Sequence, residues 1–430
     1  MSYSARLRER ERELGRPVRV GLVGAGQMGR GFAAQLGRIP GMALAAVFDV
    51  DAERARRAIE ASGAAHVETM ADKATTVVAD GGSVALGDAD AAAELGLDAV
   101  VDATGVPDVG ARVAQRCLLA GVDYITLNVE ADVTVGRYLG ALADASGAVY
   151  SVADGDEPVS ALELFDFAHD LGFEVVCAGK GKNNPFNPKA TPASEEASAL
   201  RRHMNPKMLA SFVDGSKTMI EMTALSNATG LVPDVIGMHG PTAEVDELPK
   251  VLCPAADGGI LSAPGRVEYA FGPAPGVFVI VSGDDPIISE QMSYMSMGDG
   301  PYWCLYRPYH LASLEAARSV ARAALERRSS LRPVTWTAEV VATAKRDLAP
   351  GDRIDGIGGS AVRGVIYPIE SAGDLLPLGL AQHALVVTRV ADGEPVPMSS
   401  VEVADNMILM LRRLQDQMFP VTEPSPTGEL

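Results

Sequence analysis

The sequence predicts an α/β chain in three parts. These are an N-terminal doubly wound parallel sheet, a central α+β domain and a small β-rich C-terminal domain. Three observations predict it. Over residues 1–152, short apolar runs alternate with amphipathic stretches, the pattern of βαβ units around a parallel sheet. Between 153 and 333 the order of strand and helix signals becomes mixed. From 334 to 430, short strand-like runs separated by Gly/Pro turns precede one last helix.

The first strand is the apolar run Val20–Val23. It stops at Gly24, Gly26 and Gly29, spaced G-x-G-x-x-G, and a helical pattern with Met28, Phe32 and Leu36 follows. In this Rossmann context each glycine has a task. Gly24 allows a tight turn, Gly26 lets backbone approach a pyrophosphate, and Gly29 lets the helix pack on the strand. The helix N-terminus, with Gln27 and Met28, offers free N–H groups to phosphate. A second strand, Ala43–Phe48, ends at Asp49, twenty residues past Gly29. That is the place of the carboxylate that holds ribose hydroxyls; the plainer alternative is a cap for the helix over 51–61.

Further strands are predicted over 97–102, 124–127 and 149–152, with helices over 5–14 and 109–119. The turns Thr104-Gly105 and Asn128-Val129-Glu130 follow strand ends, at the edge of a parallel sheet where a dinucleotide lies. Thr104, Gly105, Asn128 and Glu130 therefore join the cofactor residues.

In the central part, Asp154-Gly155-Asp156-Glu157-Pro158 is a carboxylate-rich turn, with Pro158 in the first turn of a helix reaching about 171. A strand over 173–178 runs into Gly179-Lys180-Gly181-Lys182-Asn183-Asn184. Lysines and amides between glycines suit an anionic or polyhydroxy ligand, although a solvated turn has the same composition. A helix is expected over 206–228. It places Asp214, Lys217 and Glu221 on one face, with Gly215 as a point of close approach or a break. The face is either an ion-pair ladder or a wall of the site. His239 lies in a turn-rich loop. Arg266–Phe271 and Gly276–Val281 are expected to pair as a hairpin. Another strand (302–306), a helix (311–327) and a linker (328–333) follow. The last helix is expected over 400–417, with a disordered tail over 422–430.

Composition excludes several classes. The 430-residue chain is too long for one core, and 47% hydrophobic residues indicate a globular protein. A net charge of −19 argues against nucleic acid or anionic membrane as partner. No apolar run spans a bilayer, and the N-terminus lacks an apolar signal core. Cys117, Cys177, Cys253 and Cys304 have no metal-ligand spacing, so a reduced, cytoplasmic protein is expected.

Taken together, the layout resembles homoserine-dehydrogenase-like oxidoreductases that carry a C-terminal SAF domain, nearest the 1-deoxy-D-xylulose-5-phosphate reductoisomerase-like group, DRL. The resemblance rests on Gly24–Gly29, Asp102–Gly105, Asn128–Thr134, Gly155–Pro158, Ala178–Pro185, Asp214–Thr218, Gly237–Pro241, Arg307–His310, Ala344–Leu348 and Pro350-Gly351. It implies a Rossmann domain over 1–152, a catalytic and dimerisation domain over 153–333, and a SAF domain with helix and tail over 334–430. It also implies that Asp156, Glu157, Lys180, Lys182, Asn183, Asn184, Lys217 and His239 surround a small substrate, in a homodimer or higher homo-oligomer. DRL enzymes rearrange and reduce a phosphorylated ketose with NADPH.

Two departures matter. Asp49 would repel a 2′-phosphate, so NAD(H) is expected over NADP(H) despite Arg54, Arg56 and Arg57 further on. The lysine that homoserine dehydrogenases carry after the strand-end Asn is absent from Asn128-Val129-Glu130. The sequence thus predicts an NAD(P)-dependent oxidoreductase. Lys182 or Lys217 is the acid–base group, and Asp156 and Glu157 orient it or hold Mg²⁺ or Mn²⁺. Lys180, Asn183, Asn184, Asp214, Glu221 and His239 line the substrate. A sugar-acid or polyol dehydrogenase is the alternative substrate reading. A dinucleotide-sensing protein without catalysis is the alternative class.

Overall fold

A computed structural model describes residues 2–67 and 71–420; the tail expected over 422–430 lies outside the described residues. The chain forms two compact units. One joins Met1–Val159 with Leu311–Arg332, the other Ser160–His310 with Pro333–Leu430.

The first unit opens with α1 (Tyr3–Leu14) and continues through β1 (Val18–Val23), α2 (Gln27–Leu36), β2 (Met42–Phe48), α3 (Ala52–Ala61), α4 (Ala74–Ala79) and β3 (Val84–Leu86). Then come β4 (Ala99–Asp102), α5 (Pro107–Leu119), β5 (Asp123–Thr126), α6 (Val129–Ser146) and β6 (Tyr150–Val152). The six strands are parallel, in the order β3-β2-β1-β4-β5-β6. This is the Rossmann order, with its reversal between β1 and β4, where a ligand crevice opens at the carboxyl ends. Strands buried on both faces explain the near-continuous apolar runs: Val20, Leu22, Val47, Val100, Val101 and Ile125 are all inaccessible.

Helix α7 (Glu157–Asp170) starts with Pro158 in its first turn, as expected. The second unit follows with β7 (Glu174–Gly181), α8 (Pro192–Arg201), α9 (Pro206–Val213), α10 (Ser216–Thr229), β8 (Val232–Pro233), α11 (Leu248–Val251), β9 (Arg266–Ala270), β10 (Val277–Ser282), α12 (Pro286–Tyr294) and β11 (Tyr302–Arg307). Its main sheet has the order β11-β10-β7-β9-β8. The expected hairpin of β9 and β10 does not form. Strand β7 lies between them, parallel to β9 and antiparallel to β10. The 272–276 connection therefore passes over the end of β7. It can do so because Gly181 has no side chain: a Cβ there would lie 2.3 Å from the Ala274 nitrogen. The Gly181 N–H donates to the Gly276 carbonyl and the Lys182 N–H to that of Ala270, both at 2.8 Å.

The helix expected over 206–228 breaks at Gly215, whose φ of +89° belongs to glycine. Asp214 consequently ends α9 and does not share a helix face with Lys217 and Glu221.

Helix α13 (Ala312–Glu326), read from sequence as central, packs in the first unit. Its small-residue stripe of Ala316, Ala317, Val320 and Ala321 joins the core of β1 and α2. Gly31 of α2 makes the close approach possible, since a Cβ there would stand 2.8 Å from the Ser313 hydroxyl.

In the C-terminal segment, β12 (Ala338–Ala344) and β13 (Val362–Pro368) form an antiparallel pair, followed by a short α14 (Ile369–Ala372) and a two-residue pair, β14 (Leu385–Val386) with β15 (Val401–Glu402). The last helix, α15 (Met407–Met418), starts later than expected, because Asn406 caps it by accepting the Leu409 N–H at 3.1 Å. All four cysteines are free thiols. No described helix is long and apolar enough to cross a membrane.

Candidate functional site

In the first unit the glycine loop has the shape its spacing predicts. Gly24 sits at φ +87°, and a Cβ on it would press within 3.0 Å of the Ala103–Thr104 backbone. A Cβ on Gly29 would fall 1.9 Å from the Gly24 carbonyl oxygen, so α2 can start against the turn only with glycine there. Around Gly26 nothing lies within 4 Å of the Cβ position. Gly26 is also the N-cap of α2 and offers no side chain to the helix N–H groups. Gln27 and Met28 are exposed beside it. An open backbone edge and uncapped donors suit a pyrophosphate.

Asp49 stands at the end of β2. One carboxylate oxygen accepts the Ala25 N–H of the glycine loop at 2.7 Å, the other the Asp51 N–H at 2.8 Å. The cap of α3 is Asp51, not Asp49. The arginines beyond are engaged on their own helix: Arg54 with Asp51, Arg56 with Glu53 and Glu60, and Arg57 with Glu53.

At the end of β4, buried Asp102 accepts the Thr104 N–H at 2.8 Å and hydroxyl at 2.7 Å. Asn128 is also buried, and its amide donates to Asp102, Thr104 and the Val106 carbonyl. Its Oδ1 has no hydrogen-bond partner among the described residues. Gly110 makes room for both side chains, since a Cβ would lie 2.6 Å from each. Asp102, Thr104 and Asn128 thus brace the β4 and β5 loops, with Gly105 exposed at the tip. Burial pushes the Asp102 carboxyl upward. Glu130 is buried in the first turn of α6. Further along, Asp132 accepts the Tyr150 hydroxyl at 2.9 Å, and burial pushes it up to about 7. Asp156 is buried and accepts the N–H of half-buried Glu157 at 3.0 Å.

In the second unit, Lys180 belongs to β7 itself, and its ammonium pairs with Glu221 of α10; both side chains are buried. Lys182, one step past the strand, donates to the Phe212 carbonyl at 2.7 Å. It is 6% exposed, and burial together with the Lys180 charge lowers it from 10.5 to about 8, against the pull of Glu221 and Asp214. The aromatic ring of Phe186 lies 6.0 Å from its ammonium. Asn183 is exposed, while Asn184 accepts a hydrogen bond from Arg202 at 2.9 Å. Lys217 is half-buried in the first turn of α10.

Two sequence candidates are engaged by partners that spacing did not reveal. The buried Asp214 carboxylate pairs with Lys345 at 2.6 Å, and Lys345 also donates to the Ala190 and Gly359 carbonyls. His239 shares its Nδ1 with Glu268 at 3.0 Å, and Glu268 also accepts the N–H groups of His239, Gly240 and Tyr269. That hydrogen bond raises the His239 pKa. Glu268 lies within β9 and Lys345 directly follows β12, so a charged side chain in or next to a buried strand is the sequence signal of a partner.

Residues 155–316 match the family model for the catalytic domain of the oxidoreductase DRL. The chain is an NAD(P)-dependent oxidoreductase. No curated protein matches it. Among solved structures it is similar to a "probable dehydrogenase" from Thermotoga maritima, with 15% identity, 74% of this chain and 90% of that one covered, and a TM-score of 0.42. It is also similar to scyllo-inositol dehydrogenase from Lactobacillus casei, solved with NAD(H) and scyllo-inositol (14%, 68% and 76%, 0.36). A third is a myo-inositol dehydrogenase from Corynebacterium glutamicum (14%, 62% and 65%, 0.34). At these identities and scores they say nothing of this chain's substrate.

Proposed function

We propose that the enzyme prefers NAD(H) and transfers hydride to or from a small anionic or polyhydroxy keto or hydroxy compound, with Lys182 as the proton-transfer group. The observation that carries this reading is the buried Lys182 ammonium, lowered to about 8 beside the Lys180–Glu221 pair. A lysine in the ordinary range would release its proton too reluctantly near neutral pH.

The dinucleotide, when bound, supplies or accepts the hydride. The glycine loop and the uncapped start of α2 would hold its pyrophosphate, and Asp49 the ribose hydroxyls. The carboxylate at Asp49 disfavours a 2′-phosphate, although Arg54 of α3, itself paired with Asp51, is near enough to attract Asp49. When a carbonyl is reduced, Lys182 Nζ–H gives its proton to the forming alkoxide. When an alcohol is oxidised, neutral Lys182 takes the hydroxyl proton. Phe212 keeps the amine oriented in either state through its carbonyl. Lys180 lowers the Lys182 proton affinity while its own charge is balanced by Glu221.

The match over 155–316 supports one particular version, a DRL-like reductoisomerase; a SAF domain over 334–430 belongs to that proposal and lies outside the match. In this version, Asp156 and Glu157 would hold Mg²⁺ or Mn²⁺ to chelate a hydroxy-ketone. Activity lost in EDTA and restored by either ion is the result this version requires. A sugar-acid or polyol dehydrogenase needs no such ion. The test of the main reading is NADH and NADPH oxidation with a panel of keto-sugar phosphates and keto acids. Lys182→Ala and Lys217→Ala should lower turnover while NADH still binds. Wild-type turnover in Lys182→Ala would sink the assignment of Lys182, whatever Lys217→Ala shows.

A further inference from the structure

We propose that Arg363, carried by the C-terminal β-rich segment, recognises the anionic group of the substrate. The inference deepens the proposed function and rests on it for Lys182 as the neighbouring acid–base group. It starts from a charge count around Phe186. Lys180 is matched by Glu221, and Lys345 by Asp214. Two cations remain. The Lys182 ammonium stands 6.0 Å from the centre of the Phe186 ring, and the Arg363 guanidinium carbon 5.8 Å from the same centre. Neither has a carboxylate at ion-pair distance among the described residues, in a chain whose net charge is −19.

Arg363 is only partly accessible, and burial lowers its pKa although Asp214, Tyr269 and Tyr367 oppose this. It makes no side-chain hydrogen bond with a described residue. A guanidinium removed from water with its donors uncommitted is costly unless a ligand takes them up. Five N–H groups in a planar fork suit the paired oxygens of a carboxylate or a phosphate monoester.

The side chain is also held in place. Beside it, the Gly364 N–H donates to the Ser216 hydroxyl at 2.8 Å, which ties β13 to the start of α10. A Cβ on Gly364 would lie 2.6 Å from Leu378 and 2.8 Å from Val340, so the strand packs closely against these side chains. One residue before Ser216, Gly215 makes room for Phe186, whose ring would be 2.8 Å from a Cβ there. The Phe186 ring thus has beside it two cations fixed by different segments, one at 6.0 Å and the other at 5.8 Å from its centre. One suits the reacting oxygen and the other the charged end of the same substrate.

The experiment is calorimetric titration of the full-length chain with inorganic phosphate and, separately, with malonate. Binding of either ion in the wild type, weakened about 10- to 100-fold in Arg363→Gln and unchanged in Arg353→Gln, is the expected result. Phosphate alone, or malonate alone, assigns the anion as phosphate ester or carboxylate. No binding of either ion, or equal binding in Arg363→Gln, overturns the inference. Should Arg363→Gln fail to fold, phenylglyoxal labelling of the wild type replaces it, read by peptide mass. Phosphate or malonate must slow labelling at Arg363 and not at exposed Arg353; unslowed labelling overturns the inference. Neither readout uses turnover. Arg363-dependent binding without NADH-linked activity would remove the proposed reaction and leave the anion site standing. NADH-linked activity with unchanged kcat/KM for charged substrates in Arg363→Gln would do the reverse.

Discussion

If Lys182 is held at a low pKa for catalysis, removing its charge should make the protein more stable. Lys182→Met keeps the length of the side chain and deletes the ammonium. Lowering an amine from 10.5 to about 8 costs the folded state about 3 kcal/mol at pH 7, where both folded and unfolded chains carry the proton. The Phe212 carbonyl loses its donor, which returns about 1–2 kcal/mol of that. A net gain of about 1–2 kcal/mol is expected, or a rise of several degrees in Tm for a unit of this size. The sign with pH is fixed. Between about 8 and 10.5 the unfolded chain binds the proton and the folded chain does not, so wild-type stability climbs through that window. The advantage of Lys182→Met should therefore shrink toward pH 10.5. The assay is thermal melting at pH 7 and at pH 10, beside turnover, which should fall by at least about 100-fold. A variant no more stable than wild type at pH 7, or an advantage undiminished at pH 10, refutes the reasoning.

Asp49→Ser should lessen or reverse the preference for NADH, seen as a lower KM for NADPH; a wild type that already prefers NADPH contradicts the role given to Asp49. Asp132→Asn should stabilise the protein at pH 8 and leave it nearly unchanged near pH 4. The folded-state carboxyl titrates at about 7 and so binds a proton that the unfolded chain releases above its ordinary 3.8. Melting curves at the two pH values check this, and an equal effect at both would count against it. Glu268→Gln should bring the His239 pKa down toward its ordinary value, measured by NMR titration of the imidazole; an unmoved titration would show that Glu268 is not its cause.

The Rossmann sheet was legible because its signals are local. The three glycines, Asp49 and the strand-end turns each lie within one βα connection. The break at Gly215 was legible for the same reason, since a glycine inside a helical pattern already points to one. What spacing could not show was long-range pairing. Residues 266–281 read as a hairpin because the two strands are adjacent in sequence, whereas β7, nearly a hundred residues earlier, takes the place between them. Asp214 seemed to share a helix face with Lys217 and Glu221; its actual partner, Lys345, lies in the C-terminal segment. Arg363 lies in the mostly apolar run Val362–Pro368, where nothing local shows that Phe186 and Asp214, distant in sequence, are its neighbours. The helix over 312–326 carries an Ala-rich stripe that says it is buried but not against which core.

The passage of the 272–276 connection over β7 separates framework from chemistry. Main-chain groups of Gly181 and Lys182 hold the connection, so its anchoring does not depend on which side chains follow. Positions 182 to 184 are consequently open to exchange while Gly181 is not. A lineage, or a library, can vary the reacting groups there without rebuilding the sheet edge that presents them. The scaffold is in this sense a reusable socket, and the identity of the substrate is the part most readily rewritten.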